Sequence, residues 1–545
     1  MNPNGGDLLV QVLREAGVDT VFGIVSVHNQ PLVEAVSRDL RFVPVRHEAS
    51  AVNAADGYAR ATGGLGCALT STGTGAGNAA GALIESLSAG TSVLHVTGNI
   101  DSAHLGSGRG FIHETKDQLG MLTAVSHHAE TILDPANAAK QLRDGISRAL
   151  AAPGGPVSIE WPIDLQYAAQ SPEPEAPPAR AAAPEPAAPE LRAAAALLRA
   201  ARRPVIWAGG GAARAGAELT EMVQRWGIPL LTSNSGRGAV DEDNELCIGN
   251  YANSPLGRAL LAESDLLISL GTHFRSNETG DYTMPVPAEH IQVDVDPRAV
   301  GRVYPATAGV VADTSAALRA LLDEPGAAPT VDPEWTARGR DTRLEARTRQ
   351  RAGLGPHAEL PDAIAEVFPA DAVIARDVTI ASSSWGNRLL PIHDPRTNVF
   401  PRGGGIGQGL GMALGAAVAD ETRPTLGIVG DGGLAVHFGE LMTLAQEQPW
   451  LVLLVFNDRG YGVLRNMQES LGQRPYGVDL ATPDFAGLTA ALGIEYLRIG
   501  GAAEARDVLR DAASRRRPVL VEVDLASYGE MPAPFTPPVS VPGKA

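Results

Sequence analysis

The sequence predicts an α/β protein built from three doubly wound, parallel-sheet units covered by helices. Three observations carry this. First, short β-branched or apolar runs alternate with longer amphipathic stretches almost throughout the 545 residues. Second, the strand-like runs are apolar on both alternating faces, as expected when helices cover both sides of a parallel sheet. Third, two breaks in composition cut the chain into three pieces of similar size, and a length of 545 residues exceeds what one hydrophobic core organises at ~150 residues per domain.

Taken in order, the first piece spans 1–170. RFVPV (41–45), TSVLHVTG (91–98) and GPVSIEWP (155–162) read as strands, while LLVQVLREAG (8–17) and AAKQLRDGISRALAA (138–152) read as helices. SPEPEAPPARAAAPEPAAP (171–189) is almost all Pro, Ala and Glu, so it cannot pack a core and reads as an extended tether. The second piece spans 190–325, with strands PVIWAGG (204–210), DLLISLG (265–271) and HIQVDVD (290–296). A break at 324–335 and a charged helical stretch lead into the third piece, 355–530. Its strands are TLGIVGDG (425–432), LVLLVFND (451–458) and RPVLVEVD (517–524). The Pro-rich tail from Met531 should drape over a surface. The first and third pieces share a style that would suit an ancient duplication.

Apolar residues make up 44% and charged residues 19%, which fits a soluble globular protein. The formal net charge of −18 repels phosphates, giving no support for nucleic-acid or anionic-membrane binding. Two cysteines, Cys67 and Cys247, lie in apolar strings and read as buried free thiols. The first residues lack the basic and apolar regions of a signal peptide, and no uncharged apolar run approaches the ~20 residues of a membrane span. A cytoplasmic location is expected.

The chemistry concentrates in one segment. The strand TLGIV ends in Gly430-Asp431-Gly432-Gly433, a helix-like stretch follows, and the strand LVLLVF ends in Asn457-Asp458-Arg459-Gly460-Tyr461-Gly462. Both loops should lie at carboxyl ends of neighbouring parallel strands, where open α/β sheets place ligands. A bound diphosphate needs its charge neutralised, and Mg²⁺ held by Asp431, Asp458 and the Gly460 carbonyl would do so. Glycines let backbone approach phosphate closely. Gly-Asp-Gly alone is also ordinary turn chemistry.

Gly430-Asp431-Gly432, 24 residues, then Asn457-Asp458, is similar to the signature of thiamine-diphosphate-dependent enzymes. Over nearly the whole chain the sequence resembles the acetolactate synthase, benzoylformate decarboxylase and benzaldehyde lyase group. The resemblance implies a pyrimidine-binding first domain, a middle domain that is cofactor-free or holds FAD, and a diphosphate-binding third domain. Many relatives carry Asn-Asn where this chain has Asn457-Asp458, so the second side-chain ligand here would be Asp458.

Further roles follow from the resemblance. Arg46-His47-Glu48-Ala49-Ser50 looks like the family's glutamate motif. A shielded Glu48 carboxyl would bond N1′ of the aminopyrimidine and promote loss of the thiazolium C2 proton. In the family this glutamate faces the diphosphate domain of another subunit, which implies a homodimer or homotetramer. Ile406, in the run Pro401 to Gly407 with Gly404, would wedge the cofactor into its bent shape. Asp377-Val378-Thr379 would contact the diphosphate, and Ser71, Gly77 and Asn78 would line or cradle the cofactor.

His28 and His113 occupy pocket loops. His113 replaces the glutamine usual in acetolactate synthases and benzaldehyde lyase, and the two histidines would hold an anionic substrate or relay a proton. Gly209-Gly210-Gly211 resembles a dinucleotide turn, weak evidence by itself, and no tightly bound FAD is expected. The resemblance thus implies a decarboxylase or carboligase for small 2-oxo acids or aldehydes, closest to acetolactate synthase. A benzoylformate-decarboxylase-like or benzaldehyde-lyase-like lyase, a pyruvate-oxidase-like flavoenzyme and a non-catalytic partner protein are the alternatives.

Overall fold

The computed structural model describes residues 3–170, 182–529 and 531–537. Residues 171–181, most of the expected tether, lie outside the described residues, and a helix begins at Ala188. Three six-stranded sheets, all parallel, account for the core.

The first sheet contains β1 (Thr20–Gly23), β2 (Arg41–Pro44), β3 (Gly66–Thr70), β4 (Val93–Asn99), β5 (His128–Thr131) and β6 (Val157–Pro162), in the order β2-β1-β3-β4-β6-β5. The second holds β7 (Pro204–Ala208), β8 (Leu230–Thr232), β9 (Cys247–Gly249), β10 (Leu266–Leu270), β11 (Glu289–Asp294) and β12 (Ala308–Val311), ordered β12-β11-β10-β7-β8-β9. The third holds β13 (Val373–Arg376), β14 (Asn398–Val399), β15 (Thr425–Gly430), β16 (Leu451–Asn457), β17 (Glu495–Ile499) and β18 (Val519–Asp524), ordered β14-β13-β15-β16-β18-β17.

The first and third sheets therefore share one strand order, 2-1-3-4-6-5 within each. The middle sheet follows the different order 3-2-1-4-5-6. Central strands are buried on both faces. All seven residues of β16, LVLLVFN, are buried, and each such Leu or Val contributes ~1.5–3 kcal/mol relative to an exposed position.

The first and third units share one apolar core, which runs from Phe22, Val43 and Val52 to Val373, Val429 and Val455. Its centre is a helix pair, Glu48–Thr62 against Gly409–Ala419. The two backbones touch at glycines: a Cβ on Gly57 would lie 2.1 Å from the Met412 carbonyl oxygen, and one on Gly415 only 1.8 Å from that of Ala54. Beside this contact Arg60 pairs with Asp56 at 2.6 Å and donates to the Phe400 carbonyl at 2.6 Å, a buried link between the units. The middle unit has cores of its own. Cys67 and Cys247 are buried free thiols, and no helix among the described residues is long and apolar enough to cross a membrane.

Candidate active site

In a 2-1-3-4 sheet the chain reverses its direction of travel between the strands ranked 1 and 3, and the loops after those strands splay apart into a crevice. Here that happens twice. In the first sheet the crevice lies between β1 and β3, whose following loops carry His28 and Ser71. In the third it lies between β13 and β15, whose following loops carry Asp377-Val378-Thr379 and Gly430-Asp431.

The third-sheet crevice opens into a cavity of about 360 Å³. Val378, Thr379, Gly404, Ile406, Gly430, Asp431, Gly432, Gly433, Asp458, Gly460, Tyr461 and Gly462 all line it, so of the residues assigned to this domain from sequence all but Asp377 come together. Asp431 is 1% exposed and follows β15 directly. Its carboxylate accepts the Gly460 N–H at 2.9 Å and the Asp458 N–H at 3.4 Å, tying the loop after β15 to the loop after β16.

Asp458 Oδ1 is buried without a hydrogen-bond partner among the described residues. Burial raises the Asp431 carboxyl, while burial and then the Asp431 charge push Asp458 up to about 7. A buried carboxylate and a half-buried one with an orphaned oxygen form a hard anionic donor set that a divalent cation satisfies. Asp431, Asp458 and the Gly460 carbonyl fit that role.

Glycine lets these loops approach closely. A Cβ on Gly462 would sit 1.8 Å from Asp458 Oδ2, and one on Gly460 2.0 Å from the Val478 carbonyl oxygen. A Cβ on Gly432 would meet the Gly460 carbonyl oxygen at 2.8 Å and the Tyr461 ring at 2.8 Å.

The Asp377 carboxylate is turned to backbone N–H groups and does not line the cavity. The residue is 1% exposed, and its carboxylate accepts the N–H groups of Val378 at 2.8 Å and Gly407 at 2.9 Å. Burial pushes its carboxyl up to about 7. The side chain clamps the loop bearing Ile406 against the end of β13, while Val378 and Thr379 face the cavity. Ile406 is 43% exposed on the cavity wall.

Sequence reasoning missed the apolar part of the wall: Ile380, Phe456, Val463, Leu464, Met467 and Leu525. The 3–4-residue spacing of Val463, Leu464 and Met467 on the helix Gly462–Ser470 was an available signal. The tail had none. Met531 and Pro537 close one side of the cavity, Asn466 Nδ2 donates to the Phe535 carbonyl at 3.0 Å, and the Ala533 N–H donates to the Gly353 carbonyl at 3.0 Å.

The first-sheet residues form a second, separate cluster. Glu48 opens the helix Glu48–Thr62, with His47 as its cap: His47 Nδ1 accepts the Ala49 N–H at 3.1 Å. The Glu48 carboxylate is half-exposed and accepts from Asn78 Nδ2 at 3.0 Å. A Cβ on Gly75 would approach Glu48 Oε1 to 3.0 Å and the Ser71 Cβ to 2.9 Å, so Ser71, Gly75, Asn78 and Glu48 adjoin. Gly77 is exposed, with open space where a Cβ would be.

His28 is 4% exposed, and its Nδ1 has no partner among the described residues. Its ring meets that of His113 edge to face, with centroids 5.2 Å apart and planes at 88°. Burial, then His113, lowers the His28 pKa. His113 is exposed and holds a positive φ of 67°. The two histidines thus adjoin, but neither they nor Glu48, Ser71, Gly77 and Asn78 line the cavity of Asp431. One chain thus carries two separate clusters.

Comparison with known proteins agrees with this division. The N-terminal TPP binding domain of thiamine pyrophosphate enzymes matches residues 3–121, their central domain residues 191–321, and their C-terminal TPP binding domain residues 380–523. A probable 2-ketoarginine decarboxylase, AruI, of Pseudomonas aeruginosa is 35% identical over 496 residues, covering 90% of this chain and 88% of the relative. A probable acetolactate synthase large subunit of Methanocaldococcus jannaschii is 27% identical over 95% of this chain and 91% of the relative. The acetolactate synthase isozyme 1 large subunit of Escherichia coli is 27% identical over 98% and 96%.

Proposed function

The chain belongs to the thiamine pyrophosphate enzyme family, and from that premise we propose that it decarboxylates a small 2-oxo acid with thiamine diphosphate held through Mg²⁺. The observation that carries the reading is the pair of carboxylates, Asp431 buried and Asp458 half-buried with its Oδ1 enclosed, on the glycine-lined loops at the third-sheet crevice. They and the Gly460 carbonyl would hold the metal, and Ile406 would pack against the cofactor from the cavity wall. When bound, thiamine diphosphate supplies a nucleophilic thiazolium carbon and a sink for the electrons released with CO₂.

Glu48 belongs to the other half of the reaction. Its carboxyl holds a proton at N1′ of the aminopyrimidine, and Asn78 fixes its orientation. Because Glu48 lies outside the Asp431 cavity of its own chain, it serves the cavity of a second copy in a homodimer or homotetramer. Burial by that copy would shield the half-exposed carboxyl from water. Val25, Val27 and Ile112, 56%, 67% and 67% exposed near the first-sheet crevice, are the apolar surface such a copy would cover.

His28 and His113 hold the substrate carboxylate and then deliver a proton to the carbon that lost CO₂. Two imidazoles at that place favour protonation, and the relative named as a 2-ketoarginine decarboxylase points the same way. Carboligation to a second carbonyl is the second reading, supported by the acetolactate synthase relatives. We read the middle domain as working without a flavin. Gly209 and Gly211 serve close packing, since a Cβ on Gly209 would lie 2.3 Å from the Gly271 carbonyl oxygen and one on Gly211 2.7 Å from Gly271 Cα. A yellow protein with flavin absorption bands would refute this. A cytoplasmic location completes the proposal.

The test is turnover. The protein, with thiamine diphosphate and Mg²⁺, is incubated with a panel of 2-oxo acids that includes apolar and cationic side chains, and CO₂, aldehydes and acyloins are assayed. Aldehyde release supports decarboxylation, and acyloin formation supports the second reading. No turnover together with no cofactor retention sinks both.

A further inference from the structure

The loop 105–117 runs between β4 and the helix Gln118–Val125 and carries His113. Little holds it by packing. Residues 106–110, Ile112 and His113 are exposed, and Gly106, Gly108 and Gly110 all adopt positive φ. His104 stacks on Phe111 at its base, with ring centroids 4.8 Å apart. Such a segment has many alternative conformations and needs a specific device to select one.

The device is a carboxylate. Glu114 Oε1 accepts the Gly108 N–H at 2.8 Å and the Ser107 hydroxyl at 3.4 Å, and Oε2 accepts the N–H groups of Gly110 at 2.9 Å and Phe111 at 3.1 Å. The Gly108 N–H and its neighbours hold this carboxyl below the usual carboxylate range. The other side of the loop has a seat prepared for it. Gly73 lacks the Cβ that would come within 2.5 Å of the His113 carbonyl oxygen, and Gln118 Oε1 fixes Gly73 by accepting its N–H at 2.7 Å. His113 itself sits at a φ of 67°, a conformation that non-glycine residues adopt only when their surroundings impose it.

We infer that Glu114 is a positioning residue, whose carboxylate gathers the backbone N–H groups of Gly108, Gly110 and Phe111 into the one turn that presents His113 edge-on to His28. It touches no substrate; it acts through the imidazole beside it. The functional consequence rests on the proposed role of the two histidines, whereas the geometry does not.

The experiment separates the two. Glu114→Ala, His113→Ala and the double variant are compared in the holoenzyme, with ¹³C-histidine labelling to follow the His28 titration and with kcat and KM for a turned-over 2-oxo acid. Glu114→Ala should move the His28 midpoint upward to that of His113→Ala. It should lower kcat/KM by about 10–100-fold, with no further loss in the double variant and cofactor retention unchanged. An unmoved His28 titration, or losses that add in the double variant, would overturn the inference. If His113→Ala leaves kcat and KM untouched, the two-histidine reading fails instead, and the His28 titration alone decides the role of Glu114.

Discussion

Replacing Gly462 with alanine tests the metal assignment through a single methyl group. The added Cβ would start 1.8 Å from Asp458 Oδ2 and 3.0 Å from Ile380 Cδ1. Contacts below 3.0 Å are essentially never seen, so Oδ2 must retreat by at least 1.2 Å (3.0 minus 1.8). Asp458 can do this by turning its side chain, because the clash is with the far end of a flexible group. Gly462 begins a helix, where alanine is favoured over glycine by up to ~1 kcal/mol, which offsets part of the cost of that turn. The apo protein should therefore melt within a few degrees of wild type. A metal ligand displaced by more than 1 Å is effectively lost, and the expected penalty is about 10–100-fold in affinity for thiamine diphosphate at fixed Mg²⁺. At saturating cofactor this removes about 1.4–2.7 kcal/mol of ligand-linked stabilisation. Calorimetric titration gives the affinity, and melting curves with and without cofactor give the stability. An intact fold with unchanged cofactor affinity would show that Asp458 holds no metal.

Three further outcomes are expected. Glu48→Gln should abolish exchange of the C2 proton of bound thiamine diphosphate for deuterium while leaving cofactor affinity close to wild type; exchange at the wild-type rate would refute the role. Mixing Glu48→Gln with Asp431→Ala subunits should recover turnover that neither shows alone, since a mixed dimer pairs an intact Glu48 with an intact Asp431; no recovery after demonstrated subunit exchange would count against a shared site. His95, wholly buried between the Thr70 and Ser158 hydroxyls at 2.9 and 3.0 Å, has its pKa lowered from 6.5 to about 4 by burial. Between those values the unfolded chain binds a proton that the folded one refuses. Its contribution to stability is therefore complete above pH 6.5 and declines by about 3 kcal/mol as pH falls towards 4. The melting temperature should drop over that window in wild type and drop less in His95→Gln; equal slopes would refute the assignment.

Much of the third-sheet cluster was legible because its chemistry is local in sequence. A buried parallel strand shows as a β-branched apolar run, and the residues after it necessarily fall at the carboxyl edge of the sheet. Asp431 and Asp458 could thus be placed on adjacent loops before any fold was known, and β15 and β16 do pair directly. The glutamate, by contrast, acquired meaning only from resemblance: nothing in the run RHEAS separates Glu48 from any solvated acid at a helix start. Asp377 was legible as a strand-end residue, but its bond to the Gly407 N–H was not, because that loop arrives from thirty residues downstream.

By itself, then, the sequence determined the α/β class, the parallel strands and the loops that bear Asp431 and Asp458, since each depends on patterns within some tens of residues. Tertiary structure alone decided what lies between distant segments. It set the common strand order of the first and third sheets and the glycine-mediated contact of helices Glu48–Thr62 and Gly409–Ala419. It closed the cavity with Met531 and Pro537, and it brought His113 against His28 while holding both, with Glu48, outside the cavity of Asp431. The physical reason is that packing is settled by shape complementarity between surfaces hundreds of residues apart. A local pattern announces that an apolar face exists without naming the surface that will cover it.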